Sequence, residues 1–253
     1  MIGIYFSGTG NSRYALEIFL QEYDAESKAL SIEDEKVMAE IKKQDEIVFS
    51  YPVQYSNIPK ILRDFITEHK ELWRGKKIFV IATMGMFSGD GAGVLARLLQ
   101  KFGAQIIGGL HLKMPDSICD EKVLKRPLEE NKKLVEAARK KIKRSVRNWK
   151  DGKPTQEGIG AFYQMAGLFG QRLYFGHKAE RYTDRLKIDE RKCVGCGLCA
   201  GLCPMKNITL KDKIAVSGDK CTMCYRCVNR CPKRAMTLLG KQVVEQGVIE
   251  KYL

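Results

Sequence analysis

Residues 193–204 read C-V-G-C-G-L-C-A-G-L-C-P, and residues 221–232 read C-T-M-C-Y-R-C-V-N-R-C-P. Both stretches follow the pattern C-x2-C-x2-C-x3-C-P, and the second begins 28 residues after the first. In each stretch the first three cysteines are close enough along the chain to bind one small metal centre. The turn that ends at the proline carries the fourth cysteine away from that centre. The repeat therefore predicts a pair of metal centres built from the same local unit.

This cysteine spacing is typical of bacterial ferredoxins, in which the fourth cysteine of each run binds the other of two [4Fe–4S] clusters. Residues 186–240 resemble that ferredoxin family. The spacing rule predicts that the first cluster is bound by Cys193, Cys196, Cys199 and Cys231. It predicts that the second cluster is bound by Cys221, Cys224, Cys227 and Cys203.

Two other uses of cysteine fit the pattern less well. Zinc ribbons pair two C-x2-C units and need neither a third cysteine two residues on nor a cysteine–proline pair. A disulfide framework would strain a run as compact as C-x2-C-x2-C. The chain has nine cysteines, so the eight ligands leave Cys119, for which we expect a buried apolar role rather than a reactive one.

The two runs differ in the residues between their cysteines. The first run has glycines, which let backbone N–H groups approach the cluster sulfurs: Gly195, Gly197 and Gly201. The second run has larger residues in the same region: Thr222, Met223, Tyr225 and Arg226. We therefore expect the two clusters to lie in different environments.

The chain begins with an apolar, β-branched run at residues 2–7, which predicts a buried strand. The loop S-G-T-G-N-S follows at residues 7–12, and residues 13–22 carry apolar side chains at helical spacing. A glycine-rich loop between a strand and a helix directs backbone N–H groups and the helix N-terminus at an anion. The loop lacks both G-K-[ST] and G-x-G-x-x-G, so we expect a phosphate held by neutral donors.

The S-G-T-G-N-S loop resembles the phosphate loop of flavodoxins, which bind FMN. Further strands are predicted at residues 46–50, 77–82 and 104–112, with a weak one at 29–30, and helices at 59–68 and 91–102. Alternating strands and helices favour a parallel sheet. The resemblance implies a flavodoxin-like α/β fold with a five-stranded sheet in the order 2-1-3-4-5, followed by a small α+β ferredoxin domain. In such a sheet the ligand lies at the carboxyl ends of strands 1 and 3.

The resemblance implies that three loops at this edge of the sheet hold FMN. The phosphate loop contributes Ser7, Gly8, Thr9, Gly10, Asn11 and Ser12. The loop after the third strand contributes Tyr51, Pro52, Val53 and Tyr55. The loop after the fourth strand contributes Thr83, Met84, Gly85, Met86, Phe87 and Gly89. We expect the aromatic rings to stack on the flavin and the methionines to pack beside it; alternatively, the rings only close the end of the sheet.

The chain has a net charge of +14, much of it at residues 122–153. Residues 121–150 are predicted to form one long basic helix with a buried stripe from Leu124 to Val146. A basic surface attracts acidic molecules, so we expect redox partner proteins with acidic surfaces. Beyond charge, no motif points to nucleic acid or to a membrane surface. A homodimer is compatible with the sequence.

The predicted organisation has four parts. They are a flavodoxin-like FMN-binding domain at residues 1–150, a helical linker packed between the modules at 151–185, a two-[4Fe–4S] ferredoxin domain at 186–240 and a C-terminal tail at 241–253. The amino terminus shows no signal-peptide pattern, and polar residues interrupt the longest apolar stretch. We therefore expect a cytoplasmic protein of an anaerobic cell.

This arrangement resembles the flavodoxin–ferredoxin fusion family, the EFR-type ferrodoxins of anaerobic bacteria and archaea. The resemblance implies an electron-transfer protein in which FMN and two [4Fe–4S] clusters relay single electrons between redox partners. The alternative is an FMN-dependent reductase of a small molecule, supplied with electrons by its own clusters. That reductase needs a proton donor, for which His111 and His177 are the candidates by residue type. We favour the carrier over a dedicated enzyme.

Overall fold

The computed structural model describes residues 1–86, 89–167 and 185–253. A five-stranded parallel sheet forms the amino-terminal part, with strand order β2-β1-β3-β4-β5. The strands are β1 Ile2–Tyr5, β2 Lys28–Ser31, β3 Glu46–Pro52, β4 Lys77–Met84 and β5 Gln105–Lys113. This order confirms the flavodoxin-like prediction. It brings the carboxyl ends of β1 and β3 together at the position where ligands bind in such sheets.

Helices cover both faces of the sheet. They are α1 Asn11–Tyr23, α2 Val37–Lys42, α3 Lys60–Glu68, α4 Gly91–Lys101, α5 Leu128–Lys150 and α6 Ala161–Gly167. α3 follows Pro59, whose ring suits a helix start because no N–H is needed there. None of the helices in the described part of the chain is long and apolar enough to span a bilayer.

Alternation along the central strands builds two apolar cores, because successive side chains point to opposite faces of the sheet. On one face, Phe49 of β3 shares a core with Leu62 of α3. On the other face, Phe79 of β4 shares a core with side chains of α1 and α5. Trp149 of α5 stacks on the Phe79 ring with 5.0 Å between the ring centroids. The sheet is therefore held rigidly between two helical layers, and its carboxyl edge remains for a site.

The carboxyl-terminal part is an α+β module. Two short antiparallel pairs form it: β6 Lys187–Ile188 with β9 Met236–Thr237, and β7 Ile208–Lys211 with β8 Ile214–Ser217. Helices α7 Leu198–Leu202 and α8 Arg226–Arg230 begin inside the two cysteine runs. The sequence repeat thus reappears as two equivalent turns, each leading into a short helix.

The basic helix α5 begins later than predicted. It starts at Leu128 and not at residue 121, because Pro127 removes a backbone N–H and fixes the chain for a helix start. A short 3-10 turn, Lys122–Leu124, precedes it. Leu128 is 40% exposed, so the buried face of α5 runs instead from Asn131 to Val146.

Part of the predicted linker lies along the sheet. The Gly109 N–H of β5 donates to the Thr155 carbonyl at 2.8 Å, and the Glu157 N–H donates to the Gly109 carbonyl at 2.9 Å. These bonds attach residues 155–157 to the free edge of β5, so this segment does not separate two modules. The remainder of the predicted linker helix, residues 168–184, lies outside the described residues.

The C-terminal tail has structure that its sequence did not predict. Ile249 and Tyr252 are buried in the core beside α1. The Ile249 N–H donates to the Thr9 carbonyl at 2.8 Å. The tail therefore returns from the second module and packs on the first.

Candidate cofactor sites

The eight cysteines of the repeat line two separate cavities. Cys193, Cys196, Cys199 and Cys231 line the first. Cys203, Cys221, Cys224 and Cys227 line the second. Each cavity takes three thiols from one run and its fourth from the other, which is the grouping that the spacing predicts. Within the described ranges, no three His, Cys, Asp or Glu side chains converge as ligands of a single metal ion do.

Backbone N–H groups point at four of the thiol sulfurs. The Asn207 N–H donates to Cys203 Sγ at 3.3 Å, and the Ala235 N–H donates to Cys231 Sγ at 3.3 Å. These two bonds are equivalent under the 28-residue repeat. Two further bonds, both of 3.4 Å, reach Cys193 and Cys221. Hydrogen bonds to ligand sulfurs help to set the reduction potential of a cluster, so the backbone around both cavities suits iron–sulfur ligation.

Burial raises the pKa of three thiols of the second set. It raises the pKa of Cys224 to about 12 and also raises the pKa of Cys221 and of Cys227. These thiols therefore keep their protons at neutral pH until a metal replaces them, because only thiolates ligate. The cavity fits a group that brings positive charge to the sulfurs.

A larger cavity of about 330 Å³ opens at the carboxyl ends of β1, β3 and β4. Its volume is within the range of about 300–1,000 Å³ that is usual for small-molecule sites. Most of the predicted FMN-binding residues line it: Ser7, Gly8, Thr9, Asn11, Ser12, Pro52, Val53, Tyr55, Thr83, Met84, Gly85 and Met86. The structure thus brings the three predicted loops together around one space.

The polar groups of this cavity suit a phosphorylated ligand that also carries hydroxyls. α1 starts at Asn11 behind Gly10, and neither a capping side chain nor an acidic residue occupies its first turn. Its free N–H groups and dipole therefore favour an anion. Asn11 Nδ2 donates to the Pro115 carbonyl at 2.7 Å, while Asn11 Oδ1 is buried and accepts no bond from any described residue. A ligand hydroxyl would satisfy that oxygen, so the residues present fit FMN.

The structure corrects the role predicted for Tyr51. Its side chain is fully buried in the core, where its hydroxyl donates to the Gly91 carbonyl. Tyr51 does not line the cavity, so its ring is not available to stack on a flavin. The reason is that β3 continues to Pro52, and alternation then directs Tyr51 to the same face as Phe49.

The remaining predicted residues are placed as follows. Tyr55 lines the cavity and has a left-handed backbone with φ 48°. Gly10 and Gly89 do not line it; both have positive φ, and Gly10 lies against Ile249 of the tail. Phe87 lies outside the described residues.

Sequence reasoning missed one wall of the cavity. Met223, Cys224 and Tyr225 of the second cysteine run line it, together with Leu239. The wall therefore comes in part from the ferredoxin-like module. Cys224 belongs to this cavity and to the second thiol cavity at once.

A signal for this wall was present in the repeat. Met223 and Tyr225 stand where the first run has Gly195 and Gly197. The backbone stays left-handed in both runs, with φ of 54° and 60° for the larger residues and 65° and 75° for the glycines. A non-glycine residue in this conformation costs about 1–2 kcal/mol. Two such residues in one turn indicate that their side chains have a task there.

His111 and Cys119 both lie away from the cavity. His111 Nε2 accepts a bond from the Ala92 N–H at 3.1 Å, and burial lowers the pKa of His111 to about 4. His111 is therefore a neutral acceptor at the start of α4 and not the proton donor of a reductase. The other candidate proton donor, His177, lies outside the described residues. Cys119 is fully buried and burial raises its pKa to about 12, which agrees with an apolar role.

Two protein-family models match separate parts of the chain. The family model described as a flavodoxin domain matches residues 2–106, and the one described as a 4Fe-4S dicluster domain matches residues 185–244. The chain is a flavodoxin–ferredoxin fusion. Its two kinds of domain mark the fusion as an electron-transfer protein of the FMN and iron–sulfur type.

Among solved structures, the fusion is similar to the two-electron reduced flavodoxin of Megasphaera elsdenii, with 25% identity over 55% of this chain and 99% of that chain and a TM-score of 0.41. It is similar to oxidised flavodoxin 2 from Bacillus cereus, with 17% identity over 60% and 97% of the chains and a TM-score of 0.45. A flavodoxin from Fusobacterium nucleatum bound to flavin mononucleotide has 16% identity over 60% and 98% of the chains and a TM-score of 0.41. A search of curated proteins found no match.

Proposed function

We propose that the fusion holds FMN in the cavity of about 330 Å³, holds one [4Fe–4S] cluster in each thiol-lined cavity, and relays single electrons between redox partner proteins. When bound, such clusters supply one-electron exchange and FMN supplies exchange of one or two electrons. The residues of the chain position these groups and exclude water between them. A cytoplasmic location in an anaerobic cell is part of the proposal.

One observation carries the proposal. Cys224 lines both the cavity of about 330 Å³, which we call the flavin cavity, and the second thiol cavity. The two sites therefore share part of one wall. Tyr225 also lines both cavities. This close approach is what an internal relay needs, and a chance pairing of two unrelated modules would not require it.

The first thiol cavity shares no lining residue with the flavin cavity and lies at the surface. Cys196 is exposed, whereas its equivalent in the second set, Cys224, is only partly exposed, and none of the four thiols of that set is fully exposed. The apolar side chains around the first cavity are open to solvent: Val194 is 58% exposed, and Leu198 and Leu210 are each 45% exposed. We assign the first site as the place where electrons are exchanged with a partner protein.

The rim of this surface is basic. Lys211, Lys213 and Lys233 are exposed there. The backbone of Lys213 lies against Gly195 of the first run, and Lys233 lines the first thiol cavity. Exposed cations around an apolar centre attract an acidic protein and orient it. The proposed partner is therefore a one-electron carrier protein with an acidic surface.

The experiment that tests the proposed function is anaerobic purification followed by cofactor analysis and redox titration. Iron and sulfide assays should give two [4Fe–4S] clusters per chain, and denaturation should release one FMN. Electron paramagnetic resonance and absorbance should resolve the clusters and the flavin as separate centres. Protein with fewer than two clusters per chain, or with no flavin, would contradict the proposal.

A different observation supports the alternative function, an FMN-dependent reductase of a small molecule. Asp116 lines the flavin cavity, and burial raises the pKa of its carboxyl group. Burial that raises the pKa of a carboxyl group beside a flavin favours its protonated form, which is the form a proton donor needs. The fusion, chemically reduced, should then consume small unsaturated or carbonyl compounds, and the Asp116→Asn variant should not. If the reduced protein reacted with none of these compounds, the reductase would be excluded and the relay would remain.

A further inference from the structure

Residues 221–227 belong to two sites at once. Three cysteines of this segment line the second thiol cavity. Met223, Cys224 and Tyr225 line the flavin cavity. One conformation of a seven-residue segment therefore presents sulfurs to one cavity and forms a wall of the other.

Polar contacts tie this segment to the loops that surround the flavin cavity. Gln54 Nε2, in the loop after β3, donates to the carbonyls of Thr222 and Met223, both at 3.1 Å. Arg226 Nη2 donates to the Ser7 carbonyl in the loop after β1 at 2.9 Å. Displacing the segment would break these bonds and open the cavity on that side.

Tyr225 ties the segment to the chain that follows β5. Its hydroxyl donates to Asp120 Oδ1 at 2.9 Å. The other carboxylate oxygen of Asp120 accepts the N–H groups of Leu238 and Leu239 at 2.6 and 3.0 Å. The segment thus contacts the loops after β1 and β3 and the chain after β5, so it cannot move without breaking these bonds.

The segment does not favour this conformation by itself. Met223 and Tyr225 have φ of 54° and 60°, a region that costs a residue with a side chain about 1–2 kcal/mol. Other interactions must therefore stabilise the turn. Ligation of three neighbouring thiolates by one cluster would do so directly. Metal binding of this kind is coupled to the folding of the segment that supplies the ligands.

We propose that FMN binding and assembly of the second cluster are thermodynamically linked through residues 221–227. The cluster holds the segment in the conformation that completes the flavin cavity, and FMN in that cavity favours the same conformation. Because linkage is reciprocal, each group raises the affinity of the chain for the other by the same factor. The first cluster has no such link, because its cavity shares no residue with the flavin cavity. The inference rests on the proposed function, since it needs both groups.

The test compares two variants that each lose one ligand. Cys203→Ala removes a ligand of the second set, and Cys203 does not line the flavin cavity. Cys196→Ala is the matched control in the first set. Iron and sulfide assays establish that each full-length variant has lost one cluster, electron paramagnetic resonance identifies the lost cluster, and quenching of FMN fluorescence gives the dissociation constant. We expect Cys203→Ala to raise the FMN dissociation constant about tenfold or more, and Cys196→Ala to change it less than twofold.

A second measurement needs no substitution. Iron is extracted from the unaltered protein with a chelator, with and without added FMN. FMN should slow the release of iron from the second cluster and leave the rate of release from the first cluster unchanged. Equal FMN affinity in both variants, or equal protection of both clusters, would overturn the linkage while leaving the relay intact. An unaltered protein that binds no FMN would defeat the linkage together with the proposed function.

Discussion

The backbone of Gly8 lies directly against the carbonyl oxygen of Cys224, so that a Cβ atom at residue 8 would collide with that oxygen. Gly8 belongs to the predicted phosphate loop after β1, and Cys224 to the second cysteine run. The two residues are far apart in sequence, and their contact joins the two modules at the edge of the flavin cavity. Glycine is needed here for space, because the atom opposite belongs to the backbone and cannot turn aside.

Gly8→Ala should separate the phosphate loop from the second cysteine run. Either the loop or the run must move, so we expect FMN affinity to fall about tenfold or more. The matched control is Gly201→Ala, since a Cβ atom there meets nothing within 4 Å. Fluorescence titration with FMN measures both variants. Unchanged affinity in Gly8→Ala would mean that the contact does not shape the cavity.

Arg226 should raise the reduction potential of the second cluster selectively. It lines the second thiol cavity, and it also pairs with Glu33 at 2.8 Å. Positive charge near a cluster favours its reduced form, so Arg226→Gln should lower that potential, and Glu33→Gln should raise it because the partner charge is lost. We expect shifts of up to about 60 mV, the equivalent of a tenfold change for one electron.

The control for these potentials is Lys233→Gln, because Lys233 lines the first thiol cavity. Redox titration followed by electron paramagnetic resonance resolves the two clusters. Lys233→Gln should affect the first cluster more than the second. Shifts of equal size in both clusters for every variant would show that the charges act only through the net charge of the protein.

The basic rim of the first site should control encounter with an acidic partner. In the triple variant K211E/K213E/K233E, stopped-flow reduction by an acidic two-cluster ferredoxin, used as a probe, should slow about tenfold or more at low salt. The difference should shrink as ionic strength rises, because salt screens exposed charges.

A triple variant on α5 provides the matched control for the rim. K133E/R139E/R144E changes the net charge equally on exposed positions of that helix. If both triple variants slowed reduction to the same degree, the docking site would not be at the first thiol cavity.

His111 should make the fold less stable in mild acid. Burial holds its pKa at about 4 in the folded protein, against 6.5 for an ordinary histidine. Between these values the unfolded chain binds a proton that the folded chain does not. The free energy of unfolding therefore falls as pH is lowered through this window, and it is unaffected by His111 above it.

The pKa shift of His111 should lower the free energy of unfolding in acid by about 3 kcal/mol at most. His111→Gln keeps a side-chain acceptor for the Ala92 N–H but has no group that titrates. Denaturant unfolding at several pH values should show a shallower fall for the variant between pH 6.5 and 5. Parallel curves for the two proteins would show that His111 is protonated in the fold or that its environment relaxes.

Local patterns carried much of this architecture. The alternation of strands and helices predicted a parallel sheet, and the resemblance of the S-G-T-G-N-S loop to that of flavodoxins implied its strand order. The grouping of thiols such as Cys193 and Cys231 agrees with the spacing rule. Details at element ends were less accessible: Tyr51 was expected beside the flavin but lies in the core, because β3 runs one residue beyond it.

The amino-acid order alone determined the thiol-bearing turns and the glycine-rich loop, since each depends on residues a few positions apart whose spacing limits the backbone. Only the tertiary structure decided that Met223 and Cys224 close the flavin cavity, and that the tail packs behind Gly10. Those contacts join residues from opposite ends of the chain. They depend on the burial of surfaces that are distant in sequence, and local periodicity does not predict which of these surfaces meet.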